Sequence, residues 1–200
     1  MTGTSRLFDA DPRGRTDLKP GTVYAIAGEG GWIYYGQVMT DKWIAFFRRR
    51  DLRVASGPDI LASPIMSKIL VEYRSIGKAL RSGAWKKLGR FDLHSDLLKP
   101  HVVVQWPVGT LTVTVWANGR PSHDARVEDP AIQQMEIVAA WDALDHIPQR
   151  LVADFGSEKA EWYVGGPIWR ERQIKEERAR RSPDQSWHRL PADWVSTSDR

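Results

Sequence analysis

The sequence predicts an α+β fold, in which a twisted antiparallel β-sheet or partly closed barrel precedes C-terminal helices. Short runs of β-branched and aromatic residues, separated by turns rich in glycine and proline, fill much of the chain up to residue 116. Beyond residue 128 the apolar residues recur at spacings of three and four, which indicates helices. A strongly charged segment near the end continues this helical pattern.

The domain organisation follows from length and local composition. A chain of 200 residues suits one domain with extensions. Residues 1–20 are polar and contain proline and glycine, which predicts a flexible lead-in. We therefore expect an α+β domain over residues 21–165, followed by a basic helical and loose tail over residues 166–200.

Three strands are predicted to form a meander at the start of the domain, and they span residues 23–27, 32–39 and 43–47. The first connection, Gly28-Glu29-Gly30-Gly31, resembles a phosphate-binding glycine loop at first sight. Such a loop must open a helix, whereas the residues that follow it here prefer a strand. The glycines are therefore predicted to form a hairpin turn.

The middle of the chain predicts further strands. Residues 65–80 fit a helix and a strand almost equally well, and Gly77 with Gly83 favours a strand followed by a turn. Residues 85–91 predict another strand. Residues 102–106 and 111–116 predict a hairpin, and Asn118-Gly119 predicts a tight turn after it.

Helices are predicted in three places. Asp129 as N-cap and Pro130 at the first position predict a helix over residues 130–145. A second helix is predicted from Pro148 to Phe155. The third covers residues 169–181, and its four-apart ion pairs indicate a solvated helix; the pairs are Glu171–Lys175, Glu176–Arg180 and Glu177–Arg181.

The composition excludes several classes of site. The chain has no cysteine, so thiolate metal sites, disulfides and cysteine nucleophiles are impossible. No two of its five histidines have the His-x-His or His-x-x-x-His spacing that places both on one metal, so they could converge on a metal only in three dimensions. The Gly-x-Ser-x-Gly hydrolase pattern is absent. Without an N-terminal apolar segment or a membrane-length apolar run, we expect a cytoplasmic protein with no membrane partner.

Charge is distributed unevenly along the chain. Residues 42–90 contain 12 basic against 3 acidic residues, and residues 91–169 contain 5 against 11. The basic part permits a nucleic-acid-binding barrel as one alternative. Its phosphate contacts would be Arg48, Arg49, Arg50, Arg53, Lys86 and Lys87, and its stacking platforms Trp43, Phe46, Phe47 and Trp85. The simpler interpretation of the same aromatic residues is that they are buried in the hydrophobic core, which makes nucleic acid the less favoured partner.

Four short segments of the sequence are similar, in their order and spacing, to those of a known family. They are Lys19-Pro20-Gly21-Thr22-Val23-Tyr24-Ala25-Ile26, Tyr34-Tyr35-Gly36-Gln37-Val38, Ile44-Ala45-Phe46-Phe47 and Gly83-Ala84-Trp85-Lys86-Lys87-Leu88-Gly89. With them, the chain resembles the bacterial immunity protein 26 family over roughly residues 20–155. The sequence departs from the pattern at Thr22, where an acidic residue is common, and at its unusually basic Arg48-Arg49-Arg50.

The resemblance implies an immunity protein that binds a cognate polymorphic toxin, encoded by a neighbouring gene, and covers its active surface. It implies binding rather than catalysis, with no cofactor and no metal. A phosphotriester hydrolase is the enzymatic alternative, because sequences of this family sometimes carry that label. A toxin with a basic cleft would favour contact with acidic residues, together with Trp32 and Tyr34 at their border. The acidic residues are Asp124, Glu128, Asp129, Glu136, Asp142 and Asp145. An acidic toxin surface would instead favour the arginines after Phe47. Of the two surfaces we prefer the acidic one, which includes the helix predicted over residues 130–145.

Overall fold

The computed structural model describes residues 7–156 and 165–197 and divides the chain into two compact units. The first unit consists of Met1–Lys99 with Ala139–Val164, and the second of Pro100–Val138 with Gly165–Arg200. The predicted α+β fold, with curled and largely antiparallel sheets and C-terminal helices, is confirmed.

The first unit contains a six-stranded curled sheet in the order β10-β4-β3-β2-β1-β5, antiparallel except where β10 meets β4. Its strands are β1 (Thr22–Ala27), β2 (Ile33–Val38), β3 (Ile44–Asp51), β4 (Ile65–Val71), β5 (Trp85–Arg90) and β10 (Ala140–Trp141). Its helices are α1 (Gly57–Leu61), α2 (Tyr73–Ser82) and α3 (Ile147–Gly156).

Strand alternation sends the side chains of this sheet to two buried faces. Tyr24 and Ile26 of β1 pack with residues of α2 and α3 on one face. Val23 and Ala25 pack on the other face, around Ile60 of α1. Because both faces are covered, β1 and β2 are buried along their whole length.

The predicted meander and its glycine turn are confirmed. Gly30 and Gly31 have φ of 64° and 78°, backbone angles that favour glycine, in the turn between β1 and β2. The third strand continues beyond its predicted end at Phe47, because Arg50 and Asp51 pair with Tyr34 and Ile33 of β2.

The prediction of a strand over residues 65–80 is correct only for β4. The rest is α2, which begins where the carboxylate of Glu72 accepts hydrogen bonds from the amides of Arg74 (2.9 Å) and Ser75 (2.6 Å). It ends at Gly83, whose φ is 78°. Tertiary packing of its apolar face outweighs the low helix propensity of Gly77.

The prediction of a helix over residues 130–145 is wrong. The chain there forms one short turn at Pro130–Ile132, with Asp129 as its cap, and the two-residue strands β9 (Glu136–Ile137) and β10. Both strands pair with partners that are distant in sequence, β9 with β6 (Val102–Gln105) and β10 with β4. The spacing of apolar residues within 130–145 cannot predict these pairings.

The segment that precedes β1 lies against α2. The amide of Phe8 donates to the carbonyl of Gly83 (3.1 Å), and the hydroxyl of Thr16 donates to the carbonyl of Tyr73 (2.8 Å). The hydroxyl of Tyr24 donates to the carbonyl of Asp17 (2.8 Å), and its burial raises the pKa of Tyr24 to about 12.

The second unit contains a four-stranded sheet in the order β8-β7-β6-β9. Besides β6 and β9 it has β7 (Thr112–Ala117), β8 (Arg120–Arg126) and the helix α4 (Ile168–Arg181). The predicted hairpin is the β6–β7 pair, and the predicted turn at Asn118-Gly119 joins β7 to β8. The predicted helices at residues 148–155 and 169–181 are confirmed as α3 and α4.

One side of α4 is buried rather than solvated. Arg172 is 2% exposed, and its guanidinium donates to the carbonyl of Val195 (2.6 Å). The carboxylate of Glu176 accepts from Trp194 Nε1 (2.9 Å) and from the amide of Thr197 (2.8 Å). The C-terminal segment is thus held against α4. Of the predicted ion pairs, Glu171–Lys175 and Glu177–Arg181 form, at 3.2 and 2.6 Å.

Candidate interaction surface

The three consecutive arginines at the end of β3 alternate between the two faces of the sheet. Arg48 and Arg50 share the face that carries α3. Arg49 lies on the opposite face, where its guanidinium bonds the carboxylate of Asp51 at 2.7 Å and the carbonyl of Asp59 at 3.0 Å. The hydrogen bond with Asp51 raises the pKa of Arg49. The three side chains therefore do not act as one basic run.

Arg48 fastens the C-terminal end of α3 to the sheet. Its guanidinium donates to the carbonyls of Phe155 (3.1 Å) and Asp154 (3.4 Å). Carbonyls in the last turn of a helix have no intrahelical partner and carry partial negative charge, so a guanidinium stabilises them. This contact holds Phe155 above β3.

Arg50 lies between two aromatic rings. Its guanidinium carbon is 4.4 Å from the centroid of the Trp32 ring and 4.5 Å from that of Phe155. Both distances are well inside the range of cation–π attraction. Within residues 7–156 and 165–197, the guanidinium of Arg50 has no hydrogen-bond acceptor and no ion-pair partner. We call Trp32, Arg48, Arg50 and Phe155 the Arg50 cluster.

Tyr34, a buried residue of β2, packs against the Arg50 cluster. It pairs with Arg50 across the β2–β3 ladder, and its ring meets Phe155 edge-on with centroids 6.0 Å apart. Its side chain is 1% exposed, so it belongs to the core, while Trp32 is only partly buried. Gly28 allows this packing, since a Cβ there would lie 2.4 Å from the Tyr34 ring.

The six acidic residues predicted to contact a partner are divided between the two units. Asp142 and Asp145 belong to the first unit, in the turn before α3. Asp142 accepts hydrogen bonds from the amides of Leu144 (2.7 Å) and Asp145 (3.0 Å), so it stabilises that turn. Asp145 is exposed.

The other four acidic residues belong to the second unit. Asp124, on the edge strand β8, accepts from the hydroxyl of Thr114 at 2.7 Å. Glu128 pairs with Arg126, and Asp129 accepts from the amide of Ala131 at 2.9 Å. Glu136 lies half-buried on β9. The helix predicted over residues 130–145, which would have carried Glu136, Asp142 and Asp145, does not form.

The stacking platforms of the nucleic-acid alternative are core residues. Phe46 and Phe47 are fully buried, Trp85 is 1% exposed and Trp43 is 9% exposed. In this conformation none of them presents a ring face to solvent on which a base can stack.

The residues that could bind a metal ion are also dispersed. The described residues contain no group of three or more histidine, aspartate or glutamate side chains that could hold a metal ion. In the same part of the chain, no helix combines the length and apolar character that a membrane span requires.

Comparisons with protein-family models, with curated proteins and with solved structures find no match for this chain. The Arg50 cluster is therefore assigned from its own geometry. Sequence reasoning included Trp32 and Arg50 among its candidates but missed Phe155, which is 105 positions from Arg50. No local pattern near Phe155 distinguishes it from an ordinary residue on the apolar face of a helix.

Proposed function

We propose that this protein is an immunity protein that binds a cognate bacterial polymorphic toxin and neutralises it by covering its active surface. The observation that carries the proposal is Arg50, held between Trp32 and Phe155 without an acceptor among the described residues. Tryptophan and arginine dominate the few residues that supply most binding energy in protein interfaces. Such a cluster suits an interface that closes over it.

The scaffold beneath the cluster also supports this function. The segments that resemble the immunity family lie mainly on β5, β1, β2 and β3, which are adjacent in that order in one sheet. Their characteristic residues pack the core: a Cβ at Gly36 would lie 2.7 Å from Ile44, and the indole of Trp85 donates to the carbonyl of Ala143 at 3.1 Å.

The departure from the family pattern at Arg48-Arg49-Arg50 lies on the exposed end of the same sheet. A shared scaffold with a variable surface is the arrangement expected of proteins that each neutralise a different toxin. Occlusion needs no cofactor, and the proposed partner is the toxin made by the same cell, in its cytoplasm.

The test is protection from the toxin. The protein is co-expressed with the product of the neighbouring gene, and growth and co-purification are measured. We expect protection and a stable complex. If no toxin-like gene lies beside this one, and the protein protects cells from no polymorphic toxin tested, the proposed function is wrong.

Charge reversal distinguishes the two candidate surfaces. Arg50→Glu should abolish protection if the Arg50 cluster is the contact, while Asp145→Lys should leave protection unchanged. The opposite pattern would move the contact to the acidic turn. Asp142 is unsuitable for this comparison, because its carboxylate stabilises the turn itself.

A further inference from the structure

We infer that Arg50 is a binding site for a single carboxylate, supplied by an aspartate or glutamate on the surface of the partner. The inference rests on the proposed function only for the identity of that partner. It makes the surface recognised at this point acidic, in contrast to the basic cleft that the acidic residues of the sequence suggested.

The position of the two rings determines how a ligand can approach. Trp32 and Phe155 lie against the guanidinium of Arg50, at 4.4 and 4.5 Å from their centroids. A guanidinium whose carbon lies over aromatic rings can still donate hydrogen bonds from the N–H groups at its edge. A carboxylate that approaches in the guanidinium plane accepts two parallel hydrogen bonds, the strongest geometry available to an arginine.

The charge available at the cluster favours a carboxylate over a phosphate. Phosphate sites usually combine several cationic or backbone donors around one group. Here Arg48 donates to the carbonyls at the end of α3, and Arg49 faces the other side of the sheet with Asp51. Among the described residues, Arg50 therefore offers the one guanidinium of the cluster that has no acceptor, and its planar fork matches a singly charged planar acceptor.

Partial burial strengthens such a pair. Trp32, Arg50 and Phe155 are each only partly exposed, so a partner that covers them removes the remaining water from the ion pair. Electrostatic attraction grows as the local dielectric constant falls, and interface residues that exclude water have this effect. The guanidinium is also held in place before binding, which reduces the entropy lost.

The direct test uses protein labelled with ¹⁵N-arginine and follows each Nε–Hε signal by NMR. Acetyl-glutamate amide is the carboxylate probe, and inorganic phosphate is the comparison. We expect acetyl-glutamate amide to shift the Arg50 signal more than phosphate does at equal concentration. The signal is assigned by its loss in Arg50→Lys. The Arg49 signal, from a residue already paired with Asp51, is the internal control.

Two results would overturn the inference. One is an Arg50 signal that responds to neither probe, or to phosphate alone. The other is an Arg50 signal that moves in the double variant Glu158→Gln/Glu161→Gln without any probe, because the carboxylate would then come from this chain. Those glutamates follow Phe155 closely in the sequence, outside the described residues.

A second experiment separates this inference from the proposed function. With the purified toxin, Arg50→Lys keeps the charge but loses the fork, and should weaken affinity about 30-fold, the effect expected of a central interface residue. The matched variant Arg49→Lys should bind as wild type does. If Arg50→Lys binds normally, the inference fails while the immunity function stands. If no toxin is neutralised, the immunity function fails, and the probe titration still tests Arg50.

Discussion

Trp85 provides a direct test of whether the aromatic residues of the basic segment form core or a stacking surface. It is 1% exposed, its ring centroid lies 5.6 Å from that of Tyr24, and its indole N–H donates to the carbonyl of Ala143 at 3.1 Å. A nucleic-acid platform would need the opposite environment. Replacing Trp85 with phenylalanine removes the donor and part of the buried ring.

The expected loss of stability has two parts. Leaving the carbonyl of Ala143 buried without its donor costs about 1–3 kcal/mol. The space left by the smaller ring costs about 1 kcal/mol more, because the surrounding side chains relax only partly. The free energy of unfolding should therefore fall by about 3 kcal/mol, which lowers the melting temperature by about 6–12 °C for a protein of this size.

The measurement is urea and thermal unfolding followed by circular dichroism, with Trp187→Phe as the matched control. Trp187 is 75% exposed, so the same substitution there should change stability by less than about 0.5 kcal/mol. Equal stability of Trp85→Phe and Trp187→Phe would refute the assignment of Trp85 to the core and would revive the stacking hypothesis.

Two further predictions concern backbone and charge. Gly83→Ala should lower the free energy of unfolding, measured in urea, clearly more than Gly109→Ala does. Both glycines have φ near 78°, but only a Cβ at Gly83 would meet backbone, 2.3 Å from the carbonyl oxygen of Phe8. Equal losses of stability in the two variants would contradict this close approach. Burial raises the pKa of Glu171 despite the opposing effect of Lys175, so the native state binds this proton more tightly than the unfolded chain does. The free energy of unfolding therefore falls as pH rises from the unfolded-state pKa through the raised native pKa. Glu171→Gln should therefore be more stable than wild type at neutral pH, by a margin that shrinks in acid, and a variant less stable at neutral pH would count against this.

The accuracy of the sequence predictions depended on how local each signal was. The strands around the Gly28–Gly31 turn and the β6–β7 hairpin were predicted closely, because alternation and turn residues encode them within a few positions. Residues 130–145 were mispredicted, because β9 and β10 exist only through pairing with strands far away in the chain. The helix α2 was missed because its glycine weakened a local signal that tertiary packing restores.

The same distinction applies to the candidate site. Trp32 and the basic residues after Phe47 stand out in the sequence by composition, and so they were named. The aromatic residues Phe46 and Phe47 stand out equally, yet the structure buries them completely. Phe155 carries no local signal, although its ring covers Arg50. Composition thus identified residue types, and burial separated contact candidates from core.

The sequence by itself determined the α+β class, the glycine hairpin and the absence of cysteine chemistry, since these depend on residue type and short-range spacing. Only the tertiary structure decided which arginine has an acceptor. The extension of β3 beyond Phe47 places Arg48 and Arg50 on one face, and the end of α3 then supplies carbonyls to Arg48 and an aromatic ring to Arg50. Contacts between strands and helices distant in sequence create that arrangement, and no local pattern of residues encodes it.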